Sequence, residues 1–259
     1  MLLVSPAVTR APVDNAVPFD SRAKALVRKA VVGFGRRVGM RVENLEDDAQ
    51  WVPRDPSVFT TDLQRKIVST PGMISLRRAM YLYMLTYGQG IEGDVVELGS
   101  WQGRSTIAFA QACEDADNGV VHAVDWFEGN PGFEGNYGLD KAGAKGLEQG
   151  FRENIDKAGL EHRVVLHAKG TDEAAPEIAA QVERLRLMYI DADHTYEAVS
   201  RELAQYADMV VPGGLISFDD YGPMFGGVVE AIHEHLAAHP NRYAKPVQDR
   251  NFLMVRRRN

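Results

Sequence analysis

From residue 94 onward, short apolar runs rich in β-branched residues recur between longer stretches whose apolar positions return every three or four residues. The runs are DVVEL (94–98), VVHAV (120–124), RVVLH (163–167), LMYI (187–190) and GLISF (214–218), with NFLMV (251–255) near the end. Runs of this length suit strands buried on both faces. Their alternation with helical stretches predicts an α/β fold: a mostly parallel sheet covered by helices on both sides. Tyr196, Val199, Leu203 and Tyr206 fall on one helical face, as do Val228, Ile232 and Leu236. Upstream, a helical pattern begins at Thr61, runs through Leu63, Ile67, Met80, Tyr83, Met84 and Tyr87, and stops at Gly88 and Gly90. Before it, Pro6, Pro12, Pro18, Pro53 and Pro56 punctuate a segment with one predicted basic helix over 21–38. The pattern divides the chain into an N-terminal arm and helical cover over 1–90 and a main domain over 91–259.

Composition narrows the class without changing that division. The 259 residues are 45% hydrophobic and 25% charged, as expected of an ordinary folded protein rather than a fibrous or disordered one. Against 29 basic residues stand 36 acidic ones, a net charge of −7, so nucleic acid is not an expected partner. The run Arg256, Arg257 and Arg258 reads as a solvated end. No apolar stretch reaches the roughly 18 residues of a membrane span, and the opening MLLVSPAVTR has neither a basic n-region nor a long apolar core. No membrane partner is expected, and the location expected is cytoplasmic. Cys113 is the single cysteine, which excludes an internal disulfide and suits a reducing compartment. Between Asp125 and Gln149 lie six of the chain's 24 glycines, interleaved with Trp126, Phe127, Phe133 and Tyr137. That mixture suits either a loop that closes over a ligand or a surface insertion.

In an open α/β sheet, ligands bind beyond the carboxyl ends of the strands. The first strand runs into VVELGSWQGRST, where Gly99 and Gly103 bracket a tight turn and Ser105 or Thr106 opens a helix. The dinucleotide fingerprint G-x-G-x-x-G fails when registered on Gly99, because Trp101 and Arg104 occupy its second and third glycine positions. A phosphate-binding P-loop fails for want of Gly-Lys-Ser/Thr. What remains is Glu97 before a Gly-x-x-x-Gly turn, with Asp125 at the end of the second strand, where an acid commonly holds ribose hydroxyls.

This arrangement resembles the class I S-adenosylmethionine-dependent methyltransferases over about residues 91–259, which implies a doubly wound, mostly parallel, seven-stranded Rossmann-like sheet. Carried over, Glu97, Gly99, Ser100 and Gly103 match the first cofactor motif, Asp125 the ribose acid, and Thr171 and Asp172 the adenine grip. Trp126 and Asp191 complete the expected cofactor-binding set. The strand ends at Asp191 and at Asp219-Asp220 are neighbours in that fold, so their carboxylates can converge, and hard oxygen ligands without cysteine favour Mg²⁺. In a regular strand Asp219 and Asp220 would face opposite sides, so both can ligate only if the strand ends there.

The stretch YIDADHTYEAVSRELAQYADMVVPGGLISFDDYG is similar to the metal-dependent O-methyltransferases, a group that includes catechol O-methyltransferase and the macrocin and mycinamicin sugar O-methyltransferases. The resemblance implies Asp191, Asp219 and Asp220 as metal ligands and His194 as general base, with Asp193 the rival base. His194 and the Asp-Asp pair lie nearer the sugar-modifying branch than the catechol branch, where Lys and Asp-Asn are usual. The implied activity is methyl transfer from S-adenosylmethionine to a hydroxyl of a small molecule, such as a deoxysugar of antibiotic biosynthesis. The alternatives are a phenol or catechol acceptor, for which Trp101, Trp126 and Tyr221 would line a flat pocket, and a non-catalytic nucleoside-binding scaffold. His233 and His235 lie two apart on a helix and face different directions. An arm of nearly sixty residues is expected to order against a neighbouring subunit, giving a homo-oligomer.

Overall fold

The computed structural model describes residues 40–43, 50–53, 61–129 and 139–258. The helix expected over 21–38, most of the arm, and residues 130–138 of the glycine-rich segment lie outside them. Within the arm, β1 (Met40–Glu43) and β2 (Gln50–Pro53) pair antiparallel as a two-stranded ribbon. Among the described residues, no helix is long and apolar enough to cross a membrane.

The main sheet has seven strands: β3 (Asp94–Leu98), β4 (Val121–Val124), β5 (Val164–His167), β6 (Leu185–Ile190), β7 (Val210–Phe218), β8 (Val247–Asp249) and β9 (Phe252–Arg256). Their spatial order is β5-β4-β3-β6-β7-β9-β8. The pairs among β3 to β7 are parallel, while β9 runs antiparallel to both β7 and β8. Each run expected to be a strand is one. The added strand is β8, three residues at the sheet edge, too short and too exposed to carry an apolar signature.

One face of the sheet carries α1 (Asp62–Ser69), α2 (Leu76–Tyr87), α3 (Arg104–Ala116) and α4 (Leu139–Ala158). The other carries α5 (Thr171–Gln181), α6 (Tyr196–Tyr206) and α7 (Gly226–Ala238). The cover helices share the first core, since Ile67, Ala79 and Leu82 are buried in the same cluster as Val95, Ile107 and Phe109. Two expectations change here. The helical pattern after Thr61 is two helices, each opened by a hydroxyl cap: Thr61 accepts from the Gln64 amide and Ser75 from the Arg78 amide. Pro71 and Gly72 lie between them. In α2 the buried face is Leu76, Ala79, Leu82 and Thr86, while Met84 and Tyr87 are exposed, because the smaller Ala79 allows close approach to α3.

The loop expected over 125–149 is also shorter, for from Leu139 the chain is helical. An interior glycine costs about 1 kcal/mol against alanine. Leu147, Phe151, Ile155 and Ala158 offset that cost by burying one continuous face of α4.

Candidate active site

The strand order reverses between β3 and β6, so their carboxyl ends open a crevice. The joint is tight. The Asp191 amide donates to the Leu98 carbonyl at 2.8 Å, and Gly99, at φ +89°, runs so close that a Cβ there would meet the Asp191 carbonyl oxygen at 2.1 Å. Only glycine satisfies both the backbone angle and the space. A cavity of about 410 Å³ opens over this joint.

One end of the cavity is built from backbone. Asp125 Oδ2 accepts from the amides of Ser100 (3.0 Å) and Trp101 (2.7 Å), and Oδ1 from that of Phe127 (2.7 Å). Burial raises the Asp125 pKa while these three donors hold it down. A carboxylate has about four acceptor positions, so one on Oδ1 remains for a ligand hydroxyl. Trp101 and Phe127 take positive φ to deliver their amides. The Ser100 hydroxyl is buried without a partner. Ser100, Trp126, Thr171 and Asp172 line the cavity as expected. Glu97 and Gly103 do not. Gly103 caps α3 in the left-handed conformation. Glu97 lies behind the wall, accepts from Thr106 at 2.5 Å, and burial pushes its pKa up to about 8.

The other end is built from charge. Asp191, His194 and Asp220 bring one potential ligand atom each within 4.8 Å of one another. His194 Nε2 lies 2.8 Å from Asp220 Oδ2 and 3.6 Å from Asp191 Oδ1, and its ring packs on Phe225 at 4.5 Å. Burial opposes a charge on His194, yet the two carboxylates outweigh it and raise its pKa to about 10. Burial likewise raises Asp191, with Asp220 adding to the shift.

The parity of β7 separates the paired acids. The strand ends at Phe218, and Asp220 turns into the cluster through a left-handed φ of 54°. Asp219 points the other way. It accepts from the Tyr189 hydroxyl at 2.8 Å and lies 3.7 Å from the Arg78 guanidinium, and burial lifts its pKa to about 7. The Tyr189 hydroxyl also lies 3.0 Å from Asp191 Oδ2, linking Asp219 to the cluster at one remove. Asp193 lines the cavity while accepting from the Thr195 amide at 3.1 Å. Tyr221 is absent from the wall, its hydroxyl lying 2.7 Å from His233.

Sequence reasoning missed Glu202, which lines the cavity from α6 and is almost fully enclosed, with one oxygen unpartnered. Burial pushes its pKa up to about 8. The available signal was an acid three residues from Val199 and next to Leu203, inside a buried helical stripe. It also missed Gly72, Met73 and Ile74, which form a wall from the segment between α1 and α2.

A doubly wound sheet with an acid-anchored glycine turn and a carboxylate–imidazole cluster in one crevice is the architecture of a class I methyltransferase. Residues 96–221 match a protein family described as a methyltransferase domain. A Streptomyces olivaceus enzyme, 8-demethyl-8-(2,3-dimethoxy-alpha-L-rhamnosyl)-tetracenomycin-C 4'-O-methyltransferase, is 27% identical over 195 residues, covering 70% of this chain and 72% of its own. Among solved structures, the O-methyltransferase NovP aligns with a TM-score of 0.61 at 22% identity, over 73% of this chain and 82% of its own. An O-methyltransferase from Bacillus cereus in complex with SAH aligns with a TM-score of 0.58 at 16% identity, over 89% and 99%.

Proposed function

We infer that the protein transfers a methyl group from S-adenosylmethionine to a hydroxyl of a small glycosylated or nucleotide-linked sugar. The observation that carries this reading is the meeting, in one cavity, of a neutralised backbone cradle and an acid–imidazole cluster. The cradle fits the donor: Asp125 keeps one acceptor position for ribose, the unpartnered Ser100 hydroxyl faces the amino-acid part, and Trp126, Thr171 and Asp172 flank the base. The Bacillus cereus neighbour was solved with the spent donor.

The cluster fits a divalent cation, because two carboxylates and an imidazole converge, the carboxylates holding a positive charge on His194 while burial and the Asp220 charge raise Asp191. Asp191 and Asp220 would hold Mg²⁺, for which one or two carboxylates are the usual protein share. Bound there, the ion would orient the acceptor hydroxyl and lower its pKa. His194 is the proton acceptor in this reading. Any positive charge between Asp191 and Asp220 offsets the field that keeps its proton on, moving it toward the neutral form. As the acceptor oxygen bonds to the methyl carbon, the carbon–sulfur bond breaks, the sulfonium becomes a thioether, and the hydroxyl proton leaves to His194. Asp219, fixed by Tyr189 and Arg78, supports Asp191 through the shared tyrosine hydroxyl.

A sugar acceptor is supported by the rhamnosyl group in the name of the Streptomyces olivaceus relative. Incubation with S-adenosylmethionine, Mg²⁺ and a panel of nucleotide sugars, glycosides and catechols tests the reading. Methylation of a sugar hydroxyl, lost with EDTA and restored by Mg²⁺, is expected. Preference for catechols would move the acceptor class, and activity untouched by chelation would remove the metal.

A further inference from the structure

The residue that occupies the third glycine position of the dinucleotide fingerprint is the first of α3. Arg104 is buried, with its guanidinium turned onto the segment that joins α1 to α2. Nε donates to the Thr70 carbonyl and Nη1 to the Ile74 carbonyl, each at 2.8 Å. Thr70 and Ile74 bracket Pro71, Gly72 and Met73, so the two bonds pin both ends of a short strap. The strap also wraps the arginine stem: a Cβ on Gly72 would lie 2.5 Å from Arg104 Cβ, Cδ and Nε. Gly72, Met73 and Ile74 line the same cavity as Trp101, and Met73 is 52% exposed. The strap lies outside any helix or strand. The planar guanidinium suits it, since its donors diverge at fixed angles and can reach two carbonyls at once.

We propose that Arg104 is a positioning residue that holds the Thr70–Ile74 strap as one wall of the donor cavity. This rests on the donor reading above for what the wall encloses, but not for the clamp itself. Because Arg104 follows Gly103 directly, the turn that receives the donor's amino-acid part and the strap that covers it are fixed by adjacent residues of one helix start. The sequence RST at the opening of α3 thus serves two walls: Arg104 and Ser105 both line the cavity, and Arg104 also bonds the strap.

The test uses a reporter thiol. Ile74 is 7% exposed, and the native Cys113 is fully buried in α3, so Ile74→Cys adds one protected thiol beside an internal control. With the native arginine, Cys introduced at 74 is expected to react slowly with a thiol reagent. In the Arg104→Met background its rate should rise tenfold or more, the equivalent of at least one lost charge-assisted hydrogen bond, while Cys113 stays protected. Arg104→Lys, with a single donor centre, should fall between them. Affinity for S-adenosylhomocysteine, read by calorimetry, should drop about tenfold in Arg104→Met and in Gly72→Ala, which displaces the strap without removing charge. The double variant should be little worse than either alone. Unchanged labelling at position 74 in a folded Arg104→Met protein would overturn the proposal, as would unchanged S-adenosylhomocysteine affinity. Faster labelling in a protein whose parent binds no S-adenosylhomocysteine would leave the clamp standing and sink the donor reading instead.

Discussion

The two ends of the cavity are anchored by acids of opposite circumstance. Asp125 is enclosed but satisfied, its oxygens receiving three backbone amides. Asp191 and Asp220 face each other across His194 with a single imidazolium between them, and the carboxyl of Asp191 is held above its ordinary range. Backbone donors are neutral, fixed by the fold, and indifferent to pH. Side-chain charges repel or attract according to what else enters. The first end therefore reads as a preformed cradle for neutral hydroxyls of a ligand, and the second as a site completed by a cation.

Breaking the charged end should cost most. His194→Gln keeps a polar side chain but removes the proton acceptor, so kcat should fall by about 10²–10⁴. S-adenosylhomocysteine affinity should hold, and steady-state kinetics beside calorimetry separates the two. A parallel loss of affinity would show that the ends are not independent. Gly99→Ala strikes the joint between them, since the new Cβ would meet the Asp191 carbonyl at 2.1 Å in a left-handed backbone. A loss of roughly 3 kcal/mol or more in denaturant unfolding is expected, with binding damaged at both ends.

Asp125→Asn tests the cradle alone. Its amide nitrogen cannot accept from the Ser100 and Trp101 amides, so about 1–3 kcal/mol of stability and a tenfold or greater loss of S-adenosylhomocysteine affinity should follow, with metal binding retained. A pH-dependent effect concerns Glu202. Its folded pKa of about 8 stands above the ordinary 4.5, so the folded protein holds a proton there that the unfolded chain releases. Stability should decline as pH rises between those values. Glu202→Gln should flatten that decline in melts taken across pH 5–8, and an unchanged slope would show that the carboxyl is already ionised.

The two ends were also unequally legible. Glycines with a downstream acid located the cradle, but Glu97 went to the core and Gly103 to a helix cap, because a motif gives spacing and not depth. The strands were readable, since DVVEL and LMYI are buried along nearly their whole length, whereas β8 is too short and exposed to show a pattern. α4 was hidden by glycines whose local cost tertiary burial overrides. At the charged end the resemblance grouped Asp219 with Asp220, and the side on which each falls depended on where β7 stops. Arg104 and its strap are thirty or more residues apart in sequence, and no local period records such a contact.

The central claim is that a cation completes the charged end without being needed at the cradle. Titrating Mn²⁺ into the protein and into Asp220→Asn, read by electron paramagnetic resonance with S-adenosylhomocysteine present, tests it most directly. The prediction is one bound ion per chain in the parent, none in the variant, and the same S-adenosylhomocysteine affinity in both. Equal Mn²⁺ binding by the two proteins, or none by either, would contradict it.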